Sequence, residues 1–184
     1  MAEQAFTATV TVNNKELLAK LKQLDDVVAA EALARAATAG ALPIQNAAKD
    51  KAPKKTRTLA RSIHTEVMES SRDSARVEVG TDAEYAAIQE FGGRIAPKGH
   101  PYLAIPLTDQ AAGYAPREFP GELHVQGNAL VDQAGVAQYV LAPSVTLPAH
   151  PYLRPAFDEN QDRAEHDTGL ALQQILQRVA PEVG

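Results

Sequence analysis

His150-Pro151-Tyr152-Leu153-Arg154-Pro155-Ala156-Phe157 holds two prolines four residues apart and repeats a tetrad found at His100-Pro101-Tyr102-Leu103. Pro151 fixes its own φ and biases His150 toward an extended backbone. Tyr152 and Leu153 are thereby delivered to a packed surface at a set angle. Pro155 suits the first position of a helix, where a missing amide costs nothing. The spacing predicts a C-terminal helix from there, with Leu172, Ile175, Leu176 and Val179 as its apolar stripe and Pro181 as its stop. Two such tetrads are packing corners, and their vocabulary is one of docking rather than catalysis.

Upstream, Phe6–Val12 alternates as a β-branched strand. Asn13 and Asn14 can cap a helix whose Leu17, Leu21 and Leu24 share one face. Asp25 or Asp26 caps a longer helix running to about Lys51. Its alanine run allows another element to approach closely, Pro43 is expected to kink it, and Pro53 ends it. Ser62–Met68 and Ala75–Gly80 read as a hairpin with a mobile polar tip at Glu69–Ser74. A short helix, Ala83–Phe91, stops at Gly92-Gly93, with Ile88 and Phe91 expected in the core and Tyr85 partly exposed. Further strands are expected at Leu103–Leu107 and Ser144–Leu147, with a hairpin of Ala129–Val131 and Val136–Ala142 around Asp132–Gly135. The expected fold is α+β: a small antiparallel sheet packed on a long kinked N-terminal helix and a C-terminal helix. Residues 1–184 are read as a single domain, with a loop and hairpin insertion at about 94–146.

The chain can bury a core, but much of its apolar content is alanine and aromatics make up only 5%. A thin core completed by a partner is the expectation. There is no cysteine, which excludes disulfides, thiolate metal sites and a cysteine nucleophile. No stretch is expected to cross a membrane, and the N-terminus lacks the basic start and apolar run of a signal peptide, so synthesis in a host cytoplasm is expected. The net charge of −5 is divided unevenly, +4 through Thr65 and −9 beyond it. The positive excess lies in Lys49, Lys51, Lys54, Lys55, Arg57 and Arg61. Such polarity suits head-to-tail self-association or nearby nucleic acid, although a basic run is as often a solvated turn.

Catalytic constellations are missing from the sequence. The five histidines show no metal-ligand spacing, and no Gly-x-Ser-x-Gly elbow, phosphate loop or dinucleotide fingerprint is present. Glu84 and Glu90 lie six apart on a short helix and would not converge. The expectation is a protein that is not an enzyme and needs no cofactor or metal. The basic segment has no interleaved aromatics and no helix-turn-helix pattern, so DNA contact, if made, is non-specific.

Read in order, Ala47-Ala48-Lys49-Asp50-Lys51-Ala52-Pro53, Thr56-Arg57-Thr58-Leu59-Ala60-Arg61-Ser62-Ile63, Val79-Gly80-Thr81, Tyr85-Ala86, Glu90-Phe91-Gly92 and Pro151-Tyr152-Leu153-Arg154-Pro155-Ala156-Phe157 form an ordered set. The set resembles the tail-completion and neck proteins of long-tailed bacteriophages. The Mu-like virion morphogenesis proteins are the nearest likeness, with lambda-type minor tail protein Z and P2-type tail-completion protein S as relatives. Two departures stand out. Compact members have Thr-Gly where this chain has Thr56-Arg57, and about fifty residues separate the Glu-Phe-Gly and Pro-Tyr-Leu-Arg-Pro segments here.

The resemblance implies a structural virion protein at the head–tail junction, a tail terminator or tail-completion protein. It would form a homo-oligomeric ring, a hexamer, between the tail tube protein and a head-completion or stopper protein. Tyr85, Glu90, Phe91, Gly92, Pro151, Tyr152, Leu153, Arg154 and Pro155 are then the fold and docking motif, and Lys49 to Arg61 faces a neighbour or the DNA channel. A morphogenesis factor that leaves the particle is the alternative, as is a DNA-contacting module. The second tetrad belongs to the family core; the first opens the insertion and folds it back.

Overall fold

The computed structural model describes residues 6–10, 15–54 and 57–179. It is mixed α+β, with a long N-terminal helix, small antiparallel sheets and a C-terminal helix. The chain divides into two compact units: one holds the residues up to Phe91 and those from His150 on, the other Gly92–Ala149. Lys55, Thr56, Val12, the capping Asn13 and Asn14, and Pro181 lie outside the described residues.

In the first unit, β1 (Phe6–Val10), β2 (His64–Ser70) and β3 (Ala75–Gly80) form an antiparallel sheet in the order β1-β3-β2. Central β3 alternates as the sequence does: Ala75, Val77 and Val79 are buried. Helix α1 (Lys15–Leu21) leads into α2 (Asp26–Lys51), which runs through Pro43 without interruption. Asp25 is its N-cap, accepting from the Val27 amide at 2.9 Å. At the other end Ala52, forced extended by Pro53, still donates its amide to the Ala48 carbonyl at 2.9 Å.

Helix α2 is the hub, packing on β2, β3 and on α5 (Leu153–Val179). Its composition explains why it can serve two neighbours at once. Ala29, Ala32, Ala36, Ala37, Ala41 and Ala48 are buried, and small side chains bring backbones close. It is long and apolar enough by composition to cross a bilayer, contrary to the expectation that no stretch would be, yet half of that stretch is buried against the sheet and α5. That burial is the pattern of a core helix. The closest approach is at Gly40, where an added Cβ would fall on the Thr168 hydroxyl and 2.6 Å from the Ala164 carbonyl oxygen.

The tip of the β2–β3 hairpin reaches the start of α2, where Arg72 pairs with Asp26 and donates to the Lys22 carbonyl at 2.6 Å. A long arginine reaches across forty-odd residues of sequence, a link no local pattern announces. Several expectations need correction. An unexpected turn of helix, α3 (Thr58–Ser62), precedes β2 and buries Leu59. Helix α4 spans only Ala86–Phe91. Phe91 is 50% exposed and Ile88 half-buried, so neither anchors the core. Their place on the helix is taken by Ala86 and, one turn later, Glu90. Pro155 is the third residue of α5, not the first.

The second unit pairs β4 (Gly93–Ile95) with β9 (Val145–Leu147) and builds a four-stranded sheet in the order β5-β8-β7-β6. These strands are β5 (Leu103–Pro106), β6 (His124–Gln126), β7 (Ala129–Val131) and β8 (Ala137–Ala142). Its small core is Ala111, Phe119 and Tyr139. The two rings meet edge to face at 6.0 Å, and the Tyr139 hydroxyl is shared between the Ala111 and Tyr114 carbonyls. Asp132 closes the β7–β8 turn by accepting from Ala134, Val136 and Gln138, and these bonds hold its carboxyl below the usual range. Tyr102 of the first tetrad is 53% exposed, whereas Tyr152 of the second is 1% exposed.

The α2–α5 crossing gives a test. Gly40→Ala gains about 1 kcal/mol in helix propensity but overpacks a site closed first by the Thr168 hydroxyl and then by the Ala164 carbonyl, at a cost of about 1–3 kcal/mol. Urea unfolding should show a net loss, and Gly40→Ala with Thr168→Ala should recover only part of it, since the Ala164 carbonyl remains.

Candidate docking site

Glu90 decides how the last helix is seated. It is 5% exposed, and its carboxylate accepts three backbone amides in succession. Tyr152 and Leu153 donate to Oε2 at 2.7 and 2.9 Å, and Arg154 donates to Oε1 at 2.9 Å. These are the amides that an α-helix leaves unpaired at its N-terminus. Pro155, next in line, has no amide to satisfy. The second tetrad therefore presents three donors and then a residue that needs none, and one carboxylate from another helix accepts from all three.

Burying a carboxylate is costly unless it is fully hydrogen-bonded. Here the compensation is charge-assisted bonding plus the positive end of a 27-residue helix. The adjacent backbone joins in, since the His150 amide donates to the Gln89 carbonyl at 2.7 Å. Tyr152 sits beside this charge. Burial first, then the negative charge of Glu90 and the nearby Tyr85, push its hydroxyl up to about 12.

Of the motif residues, Glu90, Tyr152, Leu153 and Arg154 are brought together at this cap, with Pro155 in its first turn. Tyr85, Phe91 and Pro151 are exposed. Gly92 has φ +67°, and a side chain there would strike the Ala149 amide at 2.6 Å and the Leu147 carbonyl at 2.8 Å. Only glycine fits. The capping role of Glu90 escaped sequence reading because its partners lie sixty residues away; the usable signal was an acid one turn after Ala86 on the buried face of a short helix.

The basic residues lie around the C-terminal end of α2. Lys51 pairs with Glu159 of α5 at 2.9 Å, an exposed pair of small energetic weight. Lys49 is half-buried, and Lys54, Arg57 and Arg61 are exposed. Among the described residues no ion pair engages these four. Arg57 has φ 56° and ψ 9°, the one described non-glycine residue at positive φ. The left-handed region costs a side-chain-bearing residue roughly 1 kcal/mol or more. No cluster of three or more histidine and carboxylate side chains able to hold a metal occurs among the described residues.

Residues 15–92 match the family model described as "Bacteriophage HK97-gp10, putative tail-component". The match supports a phage tail-related family for this chain. It takes in α1, α2, α3, the β2–β3 hairpin and α4, and therefore Glu90; the amides that Glu90 holds lie beyond it. No curated protein and no solved structure matches the chain.

Two outcomes follow for this site. Glu90→Gln keeps the shape but turns an NH₂ toward an amide donor, and should cost about 2 kcal/mol; Glu90→Ala strands three amides and should cost about 3–5 kcal/mol. Both are read by chemical denaturation at neutral pH. For Tyr152 the folded pKa lies above the unfolded value of about 10. Its contribution is thus complete below pH 10 and is lost as pH rises through 10 toward 12. Tyr152→Phe should melt with a shallower alkaline decline than the parent across that window.

Proposed function

We propose that this chain is a structural, non-catalytic virion protein at the head–tail junction of a long-tailed phage. It completes or caps the tail tube as a homo-oligomeric ring that joins tail to head. The observation that carries the reading is the tail-component match over residues 15–92, which covers the helix–hairpin–helix framework that ends at the Glu90 cap. The ordered motif set extends the same likeness to Pro151–Phe157, in the manner of the Mu-like morphogenesis proteins and their Z-type and S-type relatives. The framework supports it physically. A Glu-capped helix on an alanine-packed hub is a rigid scaffold, and its exposed charges are available to neighbours.

In this reading the immediate partners are further copies of the chain, the tail tube protein and a head-completion or stopper protein. The test is genetic and microscopic. A phage with the gene interrupted should accumulate DNA-filled heads and unjoined tails, and purified wild-type particles should contain the chain in ring stoichiometry, with antibody labelling at the neck. Absence of the chain from purified particles would leave the morphogenesis-factor reading in its place. Labelling at the distal tail tip would refute the junction assignment.

A further inference from the structure

We propose that the cationic corner formed by Lys54, Arg57 and Arg61 docks on the acidic face of α5 (Asp158, Asp162 and Glu165) in a second copy of the chain. This rests on the ring reading above and names the contact that would build it. All six side chains are exposed, and none has an ion-pair partner among the described residues. The three acids recur at i, i+4 and i+7, which places them on one stripe of the helix.

Arg57 is the sharper observation. Its backbone is left-handed, the conformation glycine adopts freely. An arginine held in that conformation pays a backbone cost that its exposed guanidinium recovers nowhere within the described residues of its own chain. Its exposed guanidinium is complementary to an anionic surface. The chain shows the pairing once in cis, because Lys51 at the end of α2 already meets Glu159 of α5.

A second copy is favoured over duplex DNA on charge. The chain carries −5 overall, and the Lys51–Glu159 contact puts the acidic half of α5 beside the cationic corner. A long polyanion lying on the corner would run against those acids. A neighbouring copy instead offers a short acidic stripe and receives a cationic corner in return further round. Corner meeting stripe is a heterologous contact, and it closes into a ring when the rotation per copy divides a full turn.

The experiment measures self-association of the full chain by analytical ultracentrifugation and native mass spectrometry at about 150 mM salt. Arg57→Glu with Arg61→Glu, and separately Asp158→Lys with Asp162→Lys, should each weaken association at least about tenfold, and mixing the two variants should restore it. Arg57→Gly supplies a fold-safe variant: it should melt no lower than the parent, because the left-handed strain is relieved, yet associate more weakly. If both reversed variants assemble like the parent, the ring uses another surface and this contact is wrong while the ring stands. If the parent stays monomeric at every concentration, the ring reading fails first. If the corner variant alone loses salt-sensitive binding to duplex DNA while association is unchanged, the corner serves DNA and the proposal is overturned.

Discussion

At the start of the C-terminal helix the Tyr152 and Leu153 amides are buried away from water, and a single buried carboxylate from elsewhere in the chain accepts from them. Glu90 accepts from Tyr152, Leu153 and Arg154, and Pro155 removes the next donor from the account. A local serine or aspartate cap would have satisfied one or two of these groups. Using a distant glutamate does more, because it fixes α5 to α4 as well as ending the deficit. The seating of Tyr152 and Leu153 in the core, and the line on which α5 runs back along α2, follow from that one contact.

The same contact joins the two stretches of chain from which the first unit is built. Glu90 and the Gln89–His150 bond hold the chain together on either side of Gly92–Ala149, so the first unit closes on itself. Within the second unit, the β4–β9 ladder and the tight fit at Gly92 bring its own two ends together. Each unit carries a separate core, one built on alanine and leucine and one on a pair of aromatic rings. The family match ends at Gly92, where the first unit gives way to the second.

Alanine content suggests a thin core whose apolar surface a partner completes in part. Within the chain the alanines have a use of their own. They let α2 lie between a sheet and a helix, with Gly40 at the tightest crossing, and close backbone packing substitutes for bulky side chains. The surface left outside that sandwich is charged rather than apolar along α5, which is why the interaction argued for it is electrostatic.

Period and punctuation fixed much of this protein in advance. Alternation in β3, the apolar stripe of α5, the Asp25 cap, the stop at Pro53 and the Asp132 turn could all be read locally, because each depends on residues within a few positions of one another. The order of short motifs was enough to suggest a phage tail family. Three features could not be read that way. The carboxylate of Glu90 meets amides about sixty residues on, Arg72 ties a hairpin tip to the start of α2, and Arg57 occupies a glycine-like backbone state that no composition reveals. A local pattern reports torsional preference and which face is apolar; it carries no information about which distant group will satisfy a buried donor. Sequence alone therefore determined most of the elements and the apolar faces of β3 and α5, and only tertiary packing decided that Glu90, one residue of the motif set, would become the cap that seats the last helix.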